Sequence, residues 1–267
     1  MILHTLQPAY HHPQAPDRAV AAFLIDQLAG RPQGALTVLP EYSNAGGLSD
    51  PQAELEALPR AQELLAAARE SACQKGGGVA VNVLERREGK IYNSTYLFDQ
   101  RGDTVFVYDK IHLPPSEVAL GVTPGTGACL CEWQGLRVGF LTCYDVYFNE
   151  QLDYLARHKP DLLLIPGYQR GERVDIIRAQ AKLAAFGANA YLVRSSYSMN
   201  DELHGGCSMI VAPDGQILED MGKAVGSVCR EVDPTWKYRR PAGFGGQTVR
   251  NDDFIRAGCR PELFGVD

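Results

Sequence analysis

The chain of 267 residues lacks several features that would each point to a different kind of protein. It has no uninterrupted apolar run near the roughly 18–20 residues that span a bilayer, which argues against a membrane partner. It has no excess of positive charge: 26 Lys and Arg stand against 32 Asp and Glu, a net charge of -6. With no basic stripe, nucleic acid is not expected as a partner. Met1-Ile2-Leu3-His4-Thr5-Leu6-Gln7-Pro8 lacks the basic start and long apolar core of a secretory leader. The cysteines (Cys73, Cys129, Cys131, Cys143, Cys207, Cys229 and Cys259) are odd in number and have no framework spacing. Reduced thiols in a cytoplasm are therefore expected. Cys129-Leu130-Cys131 is not a CxxC pair and has no second half, so no zinc site is expected there. Linkers, low-complexity tracts and fixed-period repeats are also missing, and one domain over 1–267 is the simplest organisation.

What is present is a strongly patterned α/β chain with 45% hydrophobic residues. Ile2 to Leu6 reads as a strand, Asp17 to Leu28 as an amphipathic helix, and Ala35 to Leu39 as a buried strand ended by Pro40. Glu54 to Gln74 reads as one long helix, with Leu55, Leu58, Leu64, Leu65 and Ala68 facing inward, closed by Gly76-Gly77-Gly78. Val79 to Leu84 and Ile91 to Phe98 form a hairpin across a charged turn from Glu85 to Lys90, and Thr104 to Tyr108 adds a strand. The paired Pro114 and Pro115 mark the next segment as irregular. Further strands are expected at 136–141, 161–166, 190–195, 208–211, 217–218 and 226–232, with helices at 149–158 and 174–186. Beyond Asp233 the Gly-, Arg- and Pro-rich composition reads as an extension over about 234–267. Strands alternating with helices at both ends, and hairpins between, predict two mixed sheets packed between helices.

Three reactive groups each follow directly on a strand-like run: Glu41, Lys110 and Cys143. Strand ends and their loops are where ligands sit in α/β sheets. A thiolate attacking a carbonyl, a carboxylate moving the proton and an ammonium facing the oxyanion together suit amide cleavage. Cys143 lies between the run Leu136-Arg137-Val138-Gly139-Phe140-Leu141 and a helix, where a helix N-terminus is expected to lower its pKa.

Leu39-Pro40-Glu41, Tyr108-Asp109-Lys110-Ile111-His112-Leu113 and Thr142-Cys143-Tyr144-Asp145 resemble the signature blocks of the nitrilase, or carbon–nitrogen hydrolase, superfamily. Gly206 to Gly215 and Arg260-Pro261-Glu262-Leu263-Phe264 resemble later blocks of that family, so the resemblance runs from about Ile2 to Phe264. It implies an αββα sandwich of two mixed sheets between helix layers and a Glu–Lys–Cys triad. Glu41 would be the general base, Lys110 the oxyanion-stabilising cation and Cys143 the nucleophile, with the Tyr144 backbone N–H completing the oxyanion hole. Glu117 is the only acidic residue between Lys110 and Glu132 and takes the place of the family's second, substrate-positioning glutamate. The implied cycle runs through a thioester and needs no metal and no organic cofactor.

Cys143-Tyr144-Asp145 is more similar to the amidase and carbamoylase branches than to true nitrilases, which typically have Cys-Trp-Glu. The expected reaction is hydrolysis of a small linear amide, an ω-amide or N-carbamoyl compound. Nitrile hydrolysis, acyl transfer through the same thioester, and a catalytically silent scaffold subunit are the alternatives. Tyr147 stands where many amidase-like members carry arginine, which removes a fixed cation and bars transfer of substrate identity from those enzymes. Tyr168 is a candidate pocket wall. Arg170, Glu172 and Arg173 form a charge run able to select a charged substrate or to face solvent. His11, His12 and His204 read as loop residues without acidic partners at ligand spacing, and His112 as structural. Family members commonly pair through helices near the cysteine, so a homodimer or larger homo-oligomer is expected, with Val174 to Phe186 in the contact.

Overall fold

The computed structural model describes residues 1–10, 18–48, 50–199, 201–260 and 263. In chain order, β1 (Ile2–Gln7), α1 (Ala19–Gly30) and β2 (Leu36–Val38) are followed by α2 (Pro51–Glu56), a 3₁₀ turn (Leu58–Arg60) and α3 (Ala61–Lys75). Then come β3 (Gly78–Arg87), β4 (Lys90–Phe98), β5 (Thr104–Asp109), α4 (Pro115–Leu120), β6 (Leu130–Trp133) and β7 (Leu136–Phe140). A second 3₁₀ turn (Cys143–Tyr147) leads to α5 (Asn149–Arg157), β8 (Leu162–Pro166), α6 (Val174–Ala188), β9 (Tyr191–Ser195), β10 (Met209–Val211), β11 (Ile217–Asp220) and β12 (Gly226–Glu231). A short hairpin, β13 (Arg239–Pro241) and β14 (Thr248–Arg250), and α7 (Asn251–Ala257) complete the described chain.

Two six-stranded mixed sheets form, ordered β12-β1-β2-β3-β4-β5 and β11-β10-β9-β8-β7-β6. Each has a parallel centre, β1-β2-β3 in one and β7-β8-β9 in the other, flanked by antiparallel strands. The period of two along each strand sorts the side chains. In β3, Val79, Val81 and Val83 pack under α1 and α3, whereas Ala80 joins Leu36, Val38 and Leu97 against Val138, Phe140 and Leu164 of the other sheet. On the far side, α5 and α6 cover the second sheet through Leu155, Ile177, Ala181 and Ala185. This is the expected four-layer sandwich.

Several local expectations are corrected. The helix over Glu54 to Gln74 is broken by the 3₁₀ turn at Leu58–Arg60, because Pro59 has no N–H to continue an i→i−4 ladder. Pro115 does not exclude a helix; it starts α4, where a missing N–H costs no hydrogen bond. The charged turn shrinks to Glu88-Gly89, both with positive φ (52° and 80°), the geometry of a tight two-residue hairpin. β6 was not expected. The segment beyond Asp233 carries a hairpin and a helix, fastened to the end of α6 by Asn189, which bonds Asp252 at 2.7 Å and the Tyr238 backbone N–H at 2.8 Å. Asp17, His11 and His12 lie outside the described residues, as do Pro261, Glu262 and Phe264 of the late block.

Gly139 in β7 shows how closely the second sheet meets α5. A Cβ there would lie 2.8 Å from both Leu155 Cδ2 and Leu163 Cδ2. Gly139→Ala is expected to destabilise the fold by about 1–3 kcal/mol through overpacking. Chemical denaturation of the variant beside the parent checks this.

Candidate active site

Three strand ends bring the predicted groups together. Glu41 lies just past β2, Lys110 just past β5 and Cys143 just past β7, so the cluster spans both sheets. Lys110 Nζ sits 2.8 Å from Glu41 Oε1 and 3.0 Å from Glu117 Oε2, and all three side chains are buried. With Cys143 and Tyr168 they line a cavity of about 160 Å³, whose mouth includes Glu54 and Arg170.

A buried polar cluster is tolerable only if its members are hydrogen-bonded. Strand alternation supplies the partners, because Asn82 of β3 and Asn93 and Thr95 of β4 point into the space between the sheets. Asn82 Nδ2 donates to Asn93 Oδ1 (2.7 Å) and Thr95 Oγ1 (3.0 Å). Asn93 Nδ2 then donates to Glu41 Oε1 and Glu117 Oε1, both at 2.8 Å. The Tyr42 hydroxyl adds a bond to Glu117 Oε1 at 2.7 Å. Glu117 Oε2 makes only the ion pair with Lys110: it accepts no hydrogen bond among the described residues. One lone-pair face of this carboxylate is thus unused within the pocket. Asn82, Asn93 and Tyr42 were not singled out from sequence, although two asparagines in otherwise apolar strands were the available signal.

Cys143 has φ +47°, a conformation that costs a non-glycine residue about 1–3 kcal/mol. Its turn is held by a capping box: the Thr142 side chain accepts from the Asp145 N–H, and Asp145 Oδ2 accepts from the Thr142 N–H at 2.7 Å. Asp145 also receives the Tyr108 hydroxyl (2.7 Å) and the His112 N–H (3.0 Å), and His112 stacks on Phe148 with ring centroids 3.9 Å apart. The Tyr144 N–H falls among the first amides of the turn, which have no intrahelical acceptor.

The charges do not act as the isolated turn predicts. Burial pushes the Cys143 thiol up, the Glu41 carboxylate adds to the rise, and Lys110 and a backbone hydrogen bond from Tyr168 oppose it; the net direction is upward. The expected lowering by a helix N-terminus is therefore corrected: the thiol rests protonated beside a carboxylate. Burial alone would pull the Lys110 ammonium down, but the Glu41 and Glu117 carboxylates oppose it, and the net direction is upward, so the ammonium stays charged. Burial also raises Glu117 against the pull of Lys110, and at the mouth it pushes Glu54 up to about 6.

The remaining candidates separate. Tyr168 lines the cavity, its hydroxyl accepting from the Gly47 N–H at 3.2 Å. Arg170 reaches the mouth, stacked over the Tyr168 ring at 4.7 Å. Glu172 instead bonds the Tyr147 hydroxyl, and Arg173 pairs with Asp175 at 2.8 Å in solvent. Tyr147 is not among the cavity-lining residues. His204 does have an acidic partner, Asp201, at 2.8 Å.

Fold and pocket define a class: a four-layer α/β sandwich with a carboxylate, an ammonium and a thiol gathered in one buried cleft. Residues 14–234 match the carbon-nitrogen hydrolase family, and the chain belongs to it. It is 31% identical over 207 residues to a hydrolase in the pqqF 5′ region of Pseudomonas protegens, covering 74% of this chain and 72% of that one. It is 28% identical over 194 residues to an (R)-stereoselective amidase of Pseudomonas sp., covering 70% and 69%. Its fold is similar to an amidase from Nesterenkonia AN1, of the nitrilase superfamily, with a TM-score of 0.76, 19% identity and coverage of 99% and 96%. Other structures of that amidase carry acrylamide or the acetamide moiety of fluoroacetamide on the active-site cysteine.

His112 yields a pH test. The hydrogen bond that its ring donates to Asp145 raises its pKa above the ordinary 6.5, burial opposes this, and Glu150 adds to the rise. The raised value means that this contribution to stability is complete below 6.5 and is lost as pH rises through the folded-state pKa. Parent protein is expected to lose melting temperature above that point, and His112→Gln to show a flatter profile. An identical slope in both would contradict the assignment.

Proposed function

We propose that this chain hydrolyses the C–N bond of a small linear amide, an ω-amide or an N-carbamoyl compound, through a thioester on Cys143. The observation that carries the reading is the buried Lys110 ammonium, 2.8 Å from Glu41 and 3.0 Å from Glu117, in the same cavity as the thiol. A volume of about 160 Å³ lies well below the roughly 300–1,000 Å³ of pockets that take drug-sized ligands. A small substrate is the natural occupant. The acrylamide- and acetamide-modified cysteines of the structurally similar amidase support the same chemistry.

In this mechanism Glu41 takes the Cys143 proton as Sγ attacks the carbonyl carbon. Because the thiol rests protonated, attack and deprotonation are coupled. The tetrahedral oxyanion is stabilised by the Lys110 ammonium and the Tyr144 N–H. Glu41 returns the proton to nitrogen, the C–N bond breaks, and ammonia or an amine leaves. Glu41 then activates water, which attacks the thioester and regenerates the thiol with release of the acid. Oε2 of Glu117, held only by its ion pair with Lys110, is suited to accept a hydrogen bond from the substrate amide N–H, and Tyr168 walls the pocket.

The chain is read as a single domain over 1–267, its segment past 234 an extension at a subunit contact. Self-association through α6 is supported by the exposed Leu183 and Ile176. The seven free cysteines support a reducing compartment such as the cytoplasm.

Ammonia release from a panel of ω-amides, N-carbamoyl amino acids and aliphatic amides is expected to vanish in Cys143→Ala. In Glu117→Gln, kcat/KM is expected to fall about 10- to 100-fold. Release that persists in Cys143→Ala would overturn the thiol mechanism. In sedimentation, micromolar protein is expected to run as a dimer or larger, and a monomer alone would contradict the subunit contact.

A further inference from the structure

Arg194 lies in β9, and only 2% of it is exposed. Arginine keeps its charge in proteins, and a buried charge without a counter-ion costs several kcal/mol. Among the described residues no carboxylate pairs with this one. Its bonds all go to neutral acceptors: Nη1 donates to the Gly206 carbonyl (2.6 Å) and the Cys207 carbonyl (2.9 Å), and Nη2 to Gln169 Oε1 (3.1 Å) and Ser196 Oγ (3.3 Å). Neutral side chains could brace the same loops without that cost, so the charge itself calls for a role.

Its position supplies one. The Gly167-Tyr168-Gln169 segment leaves β8 and runs over the guanidinium, close enough that a Cβ on Gly167 would lie 3.2 Å from Nη2. Gln169 passes the brace on, donating to Gln180 Oε1 of α6 at 3.0 Å and to the Tyr147 hydroxyl of the Cys143 turn at 3.4 Å. Between Gly167 and Gln169, Tyr168 lines the same cavity as Cys143, and its backbone N–H is among the influences that pull the thiol's pKa down. The titratable groups facing Arg194 are the Cys143 and Cys207 thiols, Tyr147, and Asp220, which Arg178 of α6 already pairs at 2.7 Å. Glu41 and Lys110 face the thiol from the other sheet.

We propose that Arg194 is a positioning residue for Cys143: it holds the Tyr168 amide against the sulfur, and its unpaired charge favours the anionic sulfur that attack requires. The inference rests on the thiol reading above. Lys110 is the cation at the reacting atoms; Arg194 acts from beneath, through the loop and through space.

The test is the pH dependence of Cys143 alkylation by iodoacetamide, read by mass spectrometry of the Cys143 peptide, beside kcat for the best amide of the panel. Arg194→Met is expected to raise the midpoint of the alkylation profile by about one pH unit. The same variant is expected to lower kcat by about 10- to 100-fold through misplacement of the sulfur. Arg194→Lys, which keeps the charge but not the fork, is expected to retain the parent midpoint with reduced kcat. Gln169→Glu supplies a counter-ion in place, so it is expected to raise the midpoint in a folded protein even if Arg194→Met does not fold. A parent midpoint and parent kcat in folded Arg194→Met, or a parent midpoint in Gln169→Glu, would overturn the inference. No alkylation of Cys143 in the parent at any pH would instead strike at the thiol reading itself.

Discussion

The site depends on one buried ammonium held between two buried carboxylates. Lys110 sits 2.8 Å from Glu41 and 3.0 Å from Glu117, and the three side chains come from different strand ends and α4. Removing the cation would leave two like charges facing each other in a buried cleft, an arrangement worth several kcal/mol of destabilisation. With the cation present, the carboxylates stay in register, and Asn93 spans both through one amide. The polar layer inside an otherwise apolar sandwich is therefore a hydrogen-bonded network with one carboxylate oxygen, Glu117 Oε2, left with only its ion pair to Lys110.

That network also sets the state of the thiol. Cys143 faces Glu41 and Lys110 in a buried cleft, and the balance leaves the proton on sulfur. In the proposed mechanism the proton moves to Glu41 as the bond to carbon forms. The strained backbone at Cys143, φ +47°, is held by the Thr142–Asp145 capping box. Asp145 is anchored in turn by Tyr108 of the first sheet. The sheets are thus joined by the same residues that aim the sulfur.

Much of this was legible in the chain. Apolar runs that stop at Leu39-Pro40, Tyr108-Asp109 and Phe140-Leu141 mark strand ends, and each is followed within a few residues by a reactive group. What was not legible is what depends on register. Asn82 and Asn93 read as minor interruptions of apolar strands until their pairing across β3 and β4 places them between the sheets. Arg194 reads as an unremarkable strand residue until β8 and β9 align and the loop after Pro166 crosses it. The break at Pro59 was in plain view, but the leucine periodicity outweighed it. The C-terminal hairpin is formed by three-residue strands in a Gly- and Arg-rich segment, too short for a period of two to register.

The most direct measurement is the mass of Cys143 in protein quenched during turnover of a small amide. The account predicts an acyl group on the Cys143 peptide, equal to the substrate minus its leaving amine, which is lost on continued incubation in water and is missing from Cys143→Ala. Turnover that proceeds with no acyl group on Cys143 under rapid quench, or an acyl group on a different residue, would contradict it.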